Sequence, residues 1–299
     1  MKQFPVLAGA ILLTGLVFSC SQKPAFPRPD HIIIIMEENH SYDQVIGSGN
    51  APFINRLVEE GALFTDSHGV THPSQPNYLA LFSGSTQGVT NDKCLNSETP
   101  YTTPNLGAAL ISNGYSFKGF AQAMPSEGTE ECSYKESELT HGDLYARKHT
   151  PWVNWQGTGT NNFPASLSLP MTKFPWDFSK LPTVAFVIPD QDHDMHNIGE
   201  PGDSAAIRRG DQWLQENLGE YVEWAKTHNS LLILTFDEDD FKVANHIPTI
   251  FVGEMVKPGK YTGMINHYNV LHTMEAMYDL PVTDTTSADI ITTIWKQGN

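Results

Sequence analysis

The chain has 299 residues, of which 39% are hydrophobic, enough to bury a core of ordinary size without help from oligomerisation. Its formal net charge of −16, from 18 Lys and Arg against 34 Asp and Glu, argues against a nucleic acid polymer as partner. A surface that reads a phosphate backbone needs clustered cations, whereas this many carboxylates leave material for a site that holds hard cations.

Residues 1–19 read as a signal peptide: Lys2 supplies the positive end, an apolar run covers 5–18, and Ser19 and Cys20 close it. The run is too short to cross a bilayer. A small residue before Cys at such a place is similar to the lipobox of bacterial lipoproteins, with Cys20 lipidated; an ordinary cleaved signal peptide is the alternative. Either way the protein is expected to be exported, as a periplasmic or outer-membrane-associated lipoprotein or else secreted, with membrane contact only through the anchor. Residues 20–30, rich in Pro, then read as the lipidated Cys and a tether, and 31–299 as a single domain. An oxidising compartment lets Cys94 and Cys132 pair, and a disulfide between them is expected, with two buried thiols as the alternative.

Residues 31–36, His-Ile-Ile-Ile-Ile-Met, form a continuous β-branched run that predicts a strand covered on both faces. Helices are predicted over 52–60, with Pro in the first turn and Gly61 after it, over about 76–83 before Gly84, and over about 104–113 before Gly114. Further strands are predicted at 184–189, 231–236 and 249–253, and amphipathic helices at 204–228 and 267–279. This alternation predicts an α/β fold with a central, mostly parallel sheet and helices on both faces. The stretch around 127–180 breaks the rhythm and reads as an irregular insertion or lid, whose Trp152, Trp155 and Trp176 are expected to pack rather than line a cleft.

Open α/β sheets place ligands beyond the carboxyl ends of their strands, and here three strands end in acid. Met36 runs into Glu37, Glu38 and Asn39; the second cluster holds Asp190, Asp192, His193, Asp194 and His196; Phe236 runs into Asp237, Glu238, Asp239 and Asp240. Three solvated loops are the bland alternative, but if the clusters converge, their repulsion calls for a hard cation. A separate motif, Thr71-His72-Pro73-Ser74-Gln75-Pro76-Asn77-Tyr78, puts Ser74 at the amino end of an apolar helix, where free N–H groups favour an anion. On local grounds alone the reading of Ser74 as an ordinary helix cap wins.

Together these residues resemble the bacterial phosphoesterase family, which includes secreted acid phosphatases and phospholipase C enzymes, within the alkaline phosphatase superfamily. The resemblance is strongest in Met36-Glu37-Glu38-Asn39-His40-Ser41-Tyr42, in 71–84, in Asp194-Met195-His196, in Phe236-Asp237-Glu238 and in Asn266-His267-Tyr268-Asn269-Val270-Leu271. It implies an alkaline-phosphatase-like fold and a metal-dependent phosphoesterase, an acid phosphatase acting on phosphomonoesters through a phosphoserine. Carried over by position, Glu38, Asn39, Asp237 and Glu238 hold the metal, and Ser74 is the nucleophile that also touches it. Asn77 and His196 bind phosphate, and His196 or His267 protonates the leaving oxygen. Asp190, Asp194, His196 and His267 are the candidates for a second metal, with His72 and His246 as weaker candidates for the site. The scarcity of imidazoles in the matched ligand positions favours calcium, magnesium or a similar ion over zinc. Tyr78 stands where sulfatases of the superfamily carry Arg, which counts against sulfate esters. The expected substrate is a small phosphorylated molecule or a phosphoinositide or phospholipid headgroup. The alternatives are a phosphodiesterase of phospholipase C type and a catalytically silent surface protein that binds metal or phosphate.

Overall fold

The computed structural model describes Met1 and residues 26–296 apart from 201, 243, 284 and 285; the targeting segment and Cys20 lie outside the described residues. In chain order the elements begin with β1 (His31–Glu37), α1 (Tyr42–Val45), α2 (Pro52–Glu60), β2 (Ala62–Phe64), β3 (Ser67–His68), α3 (Ser74–Ser83), α4 (Leu106–Ser112) and β4 (Phe117–Ala121). Next come β5 (Ser133–Glu136), β6 (Asp143–Ala146), β7 (Ser168–Pro170), β8 (Val184–Ile188), α5 (Asp203–Ala225) and β9 (Ser230–Phe236). The chain closes with β10 (Thr249–Gly253), β11 (Gly259–Tyr261), β12 (Ile265–Asn266) and α6 (His267–Met277).

Eight strands form the central sheet in the order β11-β2-β10-β9-β1-β8-β4-β7. Every junction is parallel except the two that flank β10. The β1 run explains the two-faced core, because alternate side chains of a strand point to opposite faces. Ile32, Ile34 and Met36 pack with Leu79 and Phe82 of α3, Leu106 of α4 and Leu271 of α6. Ile33 and Ile35 pack on the other face with Ile54 and Leu57 of α2 and Leu214 and Leu218 of α5. All five β1 side chains are essentially inaccessible, and each such burial contributes about 1.5–3 kcal/mol.

The predicted strands and long helices are present, with their ends within a few residues. Helix α3 starts at Ser74, two residues before the predicted 76, so Ser74 belongs to the helix itself. Strand β4 went unpredicted because Lys118 and Gly119 interrupt its apolar run. Its Gly119 is required by packing: a Cβ there would lie 2.1 Å from the Trp152 ring. The insertion is folded and lies at one edge of the sheet. A β5–β6 hairpin leads into short 3-10 turns at Arg147–His149 and Pro151–Trp155, and β7 extends the sheet at its edge. Trp152 and Trp155 are buried in the core as expected, whereas Trp176 is exposed.

Candidate active site

Because β8 and β9 flank β1 in parallel, the carboxyl ends of all three emerge side by side, and the three acidic segments meet there. Backbone bonds knit them together: Glu38 N donates to Asp194 O at 2.8 Å, and Asp237 N to Glu37 O at 2.9 Å. Asn39 turns at φ 55°, a left-handed conformation that Asn tolerates, and its N–H donates to Asp237 Oδ1 at 3.1 Å. Met195 holds φ 77°, which is unfavourable for its side chain. Its buried thioether packs against Gly210, where a Cβ would come within 2.7 Å, so core packing holds this turn open.

Ser74 joins them as the first residue of α3. Pro73 occupies the cap position, and no side chain caps the helix. The Ser74 hydroxyl, 2% exposed, instead donates to Glu38 Oε2 at 3.1 Å and lies 3.5 Å from Glu238 Oε1. The turn before it is braced by Asn77, whose Oδ1 accepts from Val70 N and Thr71 N and whose Nδ2 donates to Thr71 O and Pro73 O. Both Asn77 amide protons are used here in shaping the Ser74 turn, which weighs against the expected contact with phosphate.

Two residues that sequence reasoning missed complete the centre, and both come from the insertion. His149 is buried with Nε2 3.0 Å from Glu38 Oε1 and Nδ1 3.3 Å from Asp194 Oδ2, its ring stacked on Tyr78. Lys148 Nζ lies 2.9 Å from Asp92 Oδ2 and 3.4 Å from His196 Nε2. Their neighbour Arg147 is structural, its guanidinium donating to Leu95 O and Glu130 O and to Asn154 Oδ1. The bonded pair Cys94–Cys132 ties this insertion to the segment that carries Asp92.

The carboxylates are crowded and dry, and their acidities show it. Burial, then the charges of Glu38 and Asp92, pushes Glu238 up to about 8. Burial followed by the charge of Glu38 raises Asp194 and Asp237 well above the usual carboxylate range. Burial also holds His149 well below the ordinary imidazole value, so it is neutral and ready to donate a lone pair. Asp237 Oδ2 is buried without a hydrogen-bond partner, and Glu38 Oε1, His149 Nε2 and Asp194 Oδ2, although close to one another, make no well-aligned hydrogen bond; a buried polar atom left so costs about 1–3 kcal/mol. Glu38, His149 and His196 offer ligand atoms that all lie within 4.8 Å of one another. The residues present therefore fit a divalent cation. With two imidazoles beside the carboxylates, the donor set is richer in nitrogen than the sequence suggested, which removes the ground for preferring calcium or magnesium to zinc.

Other expected residues fall in different roles. Asp190 is engaged in its own loop, where it pairs with His193 at 2.6 Å and accepts from Asp192 N; Asp194 is the carboxylate of that cluster that faces the centre, alongside His196. His267 is buried with Nε2 donating to Phe236 O at 2.9 Å, and burial lowers its pKa to about 4. That shift weighs against His267 as the proton donor, while its Nδ1, without a hydrogen-bond partner, retains a lone pair that suits a ligand. His72 holds Glu238 at 2.7 Å, while His246 stacks on Tyr42 and binds Thr65 O, a structural position. His196, half-buried, is left as the imidazole beside Lys148.

A buried serine among carboxylates at the strand ends of this sheet suits a hydrolase of phosphoric esters. The chain belongs to the Phosphoesterase family, whose family model matches residues 48–281. It is 45% identical over 290 residues to a phosphatidylinositol-3-phosphatase of Mycobacterium tuberculosis, which takes in 96% of this chain and 88% of that protein. It is also 28% identical over 273 residues to a probable acid phosphatase of Kluyveromyces lactis, covering 89% of this chain but only 61% of the fungal one. Among solved structures it is similar to an alkaline phosphatase superfamily protein from Vibrio parahaemolyticus, with a TM-score of 0.56 at 16% identity over 85% of this chain and 68% of that one. The lipoteichoic acid synthase LtaP from Listeria monocytogenes gives a TM-score of 0.54 at 11% identity over 89% and 75% of the two chains. These likenesses establish the alkaline-phosphatase-like fold.

Proposed function

We propose that this protein is an exported, metal-dependent phosphomonoesterase that works through a phosphoserine at Ser74. The observation that carries the reading is the Ser74 hydroxyl, which neglects the helix it begins and points into a buried set of carboxylates. The names of the relatives, a phosphatidylinositol-3-phosphatase and a probable acid phosphatase, support a phosphomonoester substrate and make a phosphoinositide headgroup the first to try. The Cys94–Cys132 bond supports export, since disulfides persist in oxidising compartments.

In the first displacement Ser74 Oγ forms a bond to phosphorus as the ester bond to the alcohol breaks. Glu38 Oε2, which already accepts from the hydroxyl, takes its proton. His196 donates a proton to the departing oxygen. In the second displacement water attacks phosphorus and gives a proton to His196, the bond to Ser74 breaks, and Glu38 returns its proton to the serine. A divalent cation held by Glu38, Asn39, Asp237 and Glu238, with His149 and Asp194 alongside, would acidify the hydroxyl and neutralise phosphoryl charge.

Mass mapping of enzyme acid-quenched during turnover tests this, with phosphate expected on Ser74. Rapid turnover with phosphate on no serine would dismiss the covalent route. Parallel assays on a monoester and a diester separate this reading from a phosphodiesterase of phospholipase C type.

A further inference from the structure

We infer that Lys148 contacts the phosphoryl group and is the residue by which this enzyme favours phosphomonoesters over phosphodiesters, an inference that rests on the monoesterase reading of the same site. A single carboxylate ties the Lys148 ammonium to the residue after the nucleophile. Asp92 accepts from Lys148 Nζ at 2.9 Å through Oδ2 and from the N–H of Gln75, the residue after Ser74, at 2.9 Å through Oδ1. On its other side Nζ lies 3.4 Å from His196 Nε2.

Several features separate this group from an ordinary surface lysine. Its side chain is only 15% exposed. Both chain neighbours are pinned, Arg147 by three acceptors and His149 between Glu38 and Asp194, so the backbone at 148 cannot swing away. The segments that supply Asp92 and Lys148 are joined by the Cys94–Cys132 bond, and Arg147 N donates to Cys132 O at 3.0 Å.

An ammonium has three N–H donors, and Asp92 needs one. A monoester dianion presents three non-bridging oxygens and close to two charges; a diester presents two such oxygens and one charge, with a second alkoxy group in place of the third. A cation held on that third oxygen stabilises the monoester and meets only an ester oxygen in the diester.

The test uses the metal-loaded, full-length protein. In the Ser74→Ala background, calorimetric titration with inorganic phosphate should show at least tenfold weaker binding when Lys148→Met is added. With Ser74 intact, Lys148→Met should lower kcat/KM for p-nitrophenyl phosphate about a hundredfold, and for bis(p-nitrophenyl) phosphate less than about fivefold. Lys148→Arg should recover part of the monoester preference. Asp92→Asn, which keeps an acceptor for Gln75 N–H but loosens the ammonium, should reduce it. Equal losses on both esters, or unchanged phosphate affinity, overturn the inference. If Lys148→Met does not fold, a monoester-to-diester ratio unmoved by Asp92→Asn overturns it equally. If Ser74→Ala alone keeps full turnover while Lys148→Met still weakens phosphate binding and shifts the ratio, the nucleophile assignment fails and the role of Lys148 stands.

Discussion

Replacing Ser74 with Ala separates two physical roles for one hydroxyl. A helix-capping serine would cost roughly 0.5–2 kcal/mol on truncation and leave turnover intact. Here Pro73 holds the cap position and the hydroxyl donates to Glu38 Oε2 at 3.1 Å, so the loss is one hydrogen bond to a charged acceptor, about 1.5–3 kcal/mol. The relief of desolvating a buried hydroxyl offsets part of that. In a protein of this size 1 kcal/mol moves Tm by about 2 °C, so the melting temperature should fall by no more than about 6 °C. Turnover of a phosphomonoester should fall by about a thousandfold or more, because no other group can take the phosphoryl group in line. Differential scanning calorimetry and steady-state kinetics on one preparation, with metal content matched to wild type, give both numbers. A folded Ser74→Ala protein that keeps more than about a tenth of wild-type turnover would refute the reasoning.

His149→Ala should weaken affinity for the activating cation by roughly 10–100-fold with little change in fold, read as the metal concentration that restores half-maximal activity after chelation; an unshifted curve would remove His149 from the site. In the chelated protein Glu238, with a folded pKa of about 8 against an ordinary 4.5, retains a proton that the unfolded chain releases between those values, so stability should decline as pH rises across that window. Thermal melts of the chelated protein at pH 5 and 8 check the sign, added cation should flatten the slope, and a Tm that climbs with pH would contradict it. Breaking the Cys94–Cys132 bond, which spans 38 residues, should cost about 2–4 kcal/mol by the chain-entropy argument, measured as the urea midpoint of the Cys94→Ser, Cys132→Ser protein; an unchanged midpoint would count against it. Cys20→Ser should move the protein from the membrane fraction to the soluble one at unchanged specific activity, and persistent membrane association would exclude the lipid anchor.

What the chain determines by itself is what depends on near neighbours. The β-branched run of β1, the Pro and Gly that bound α2, the acids that end β1 and β9, and the place of Ser74 at the amino end of a helix each rest on a few adjacent residues, and each was readable. Strand β4 was not, because its Lys118 and Gly119 look like a break until Trp152, far along the chain, lies on the sheet at Gly119. The same applies to His149 and Lys148. They sit in an aperiodic stretch more than a hundred residues from Glu38, with no spacing that links them to it, and only the Arg147 anchors and the Cys94–Cys132 bond bring them to the centre. Tertiary structure also decided which of several equivalent-looking polar residues face the substrate: Asn77 spends its amide on its own turn, Asp190 on His193, and His267 one nitrogen on a carbonyl. Sequence names the donors a loop offers, but a hydrogen bond already made to a near partner removes a donor from the site, and that competition is settled only when the whole chain has packed.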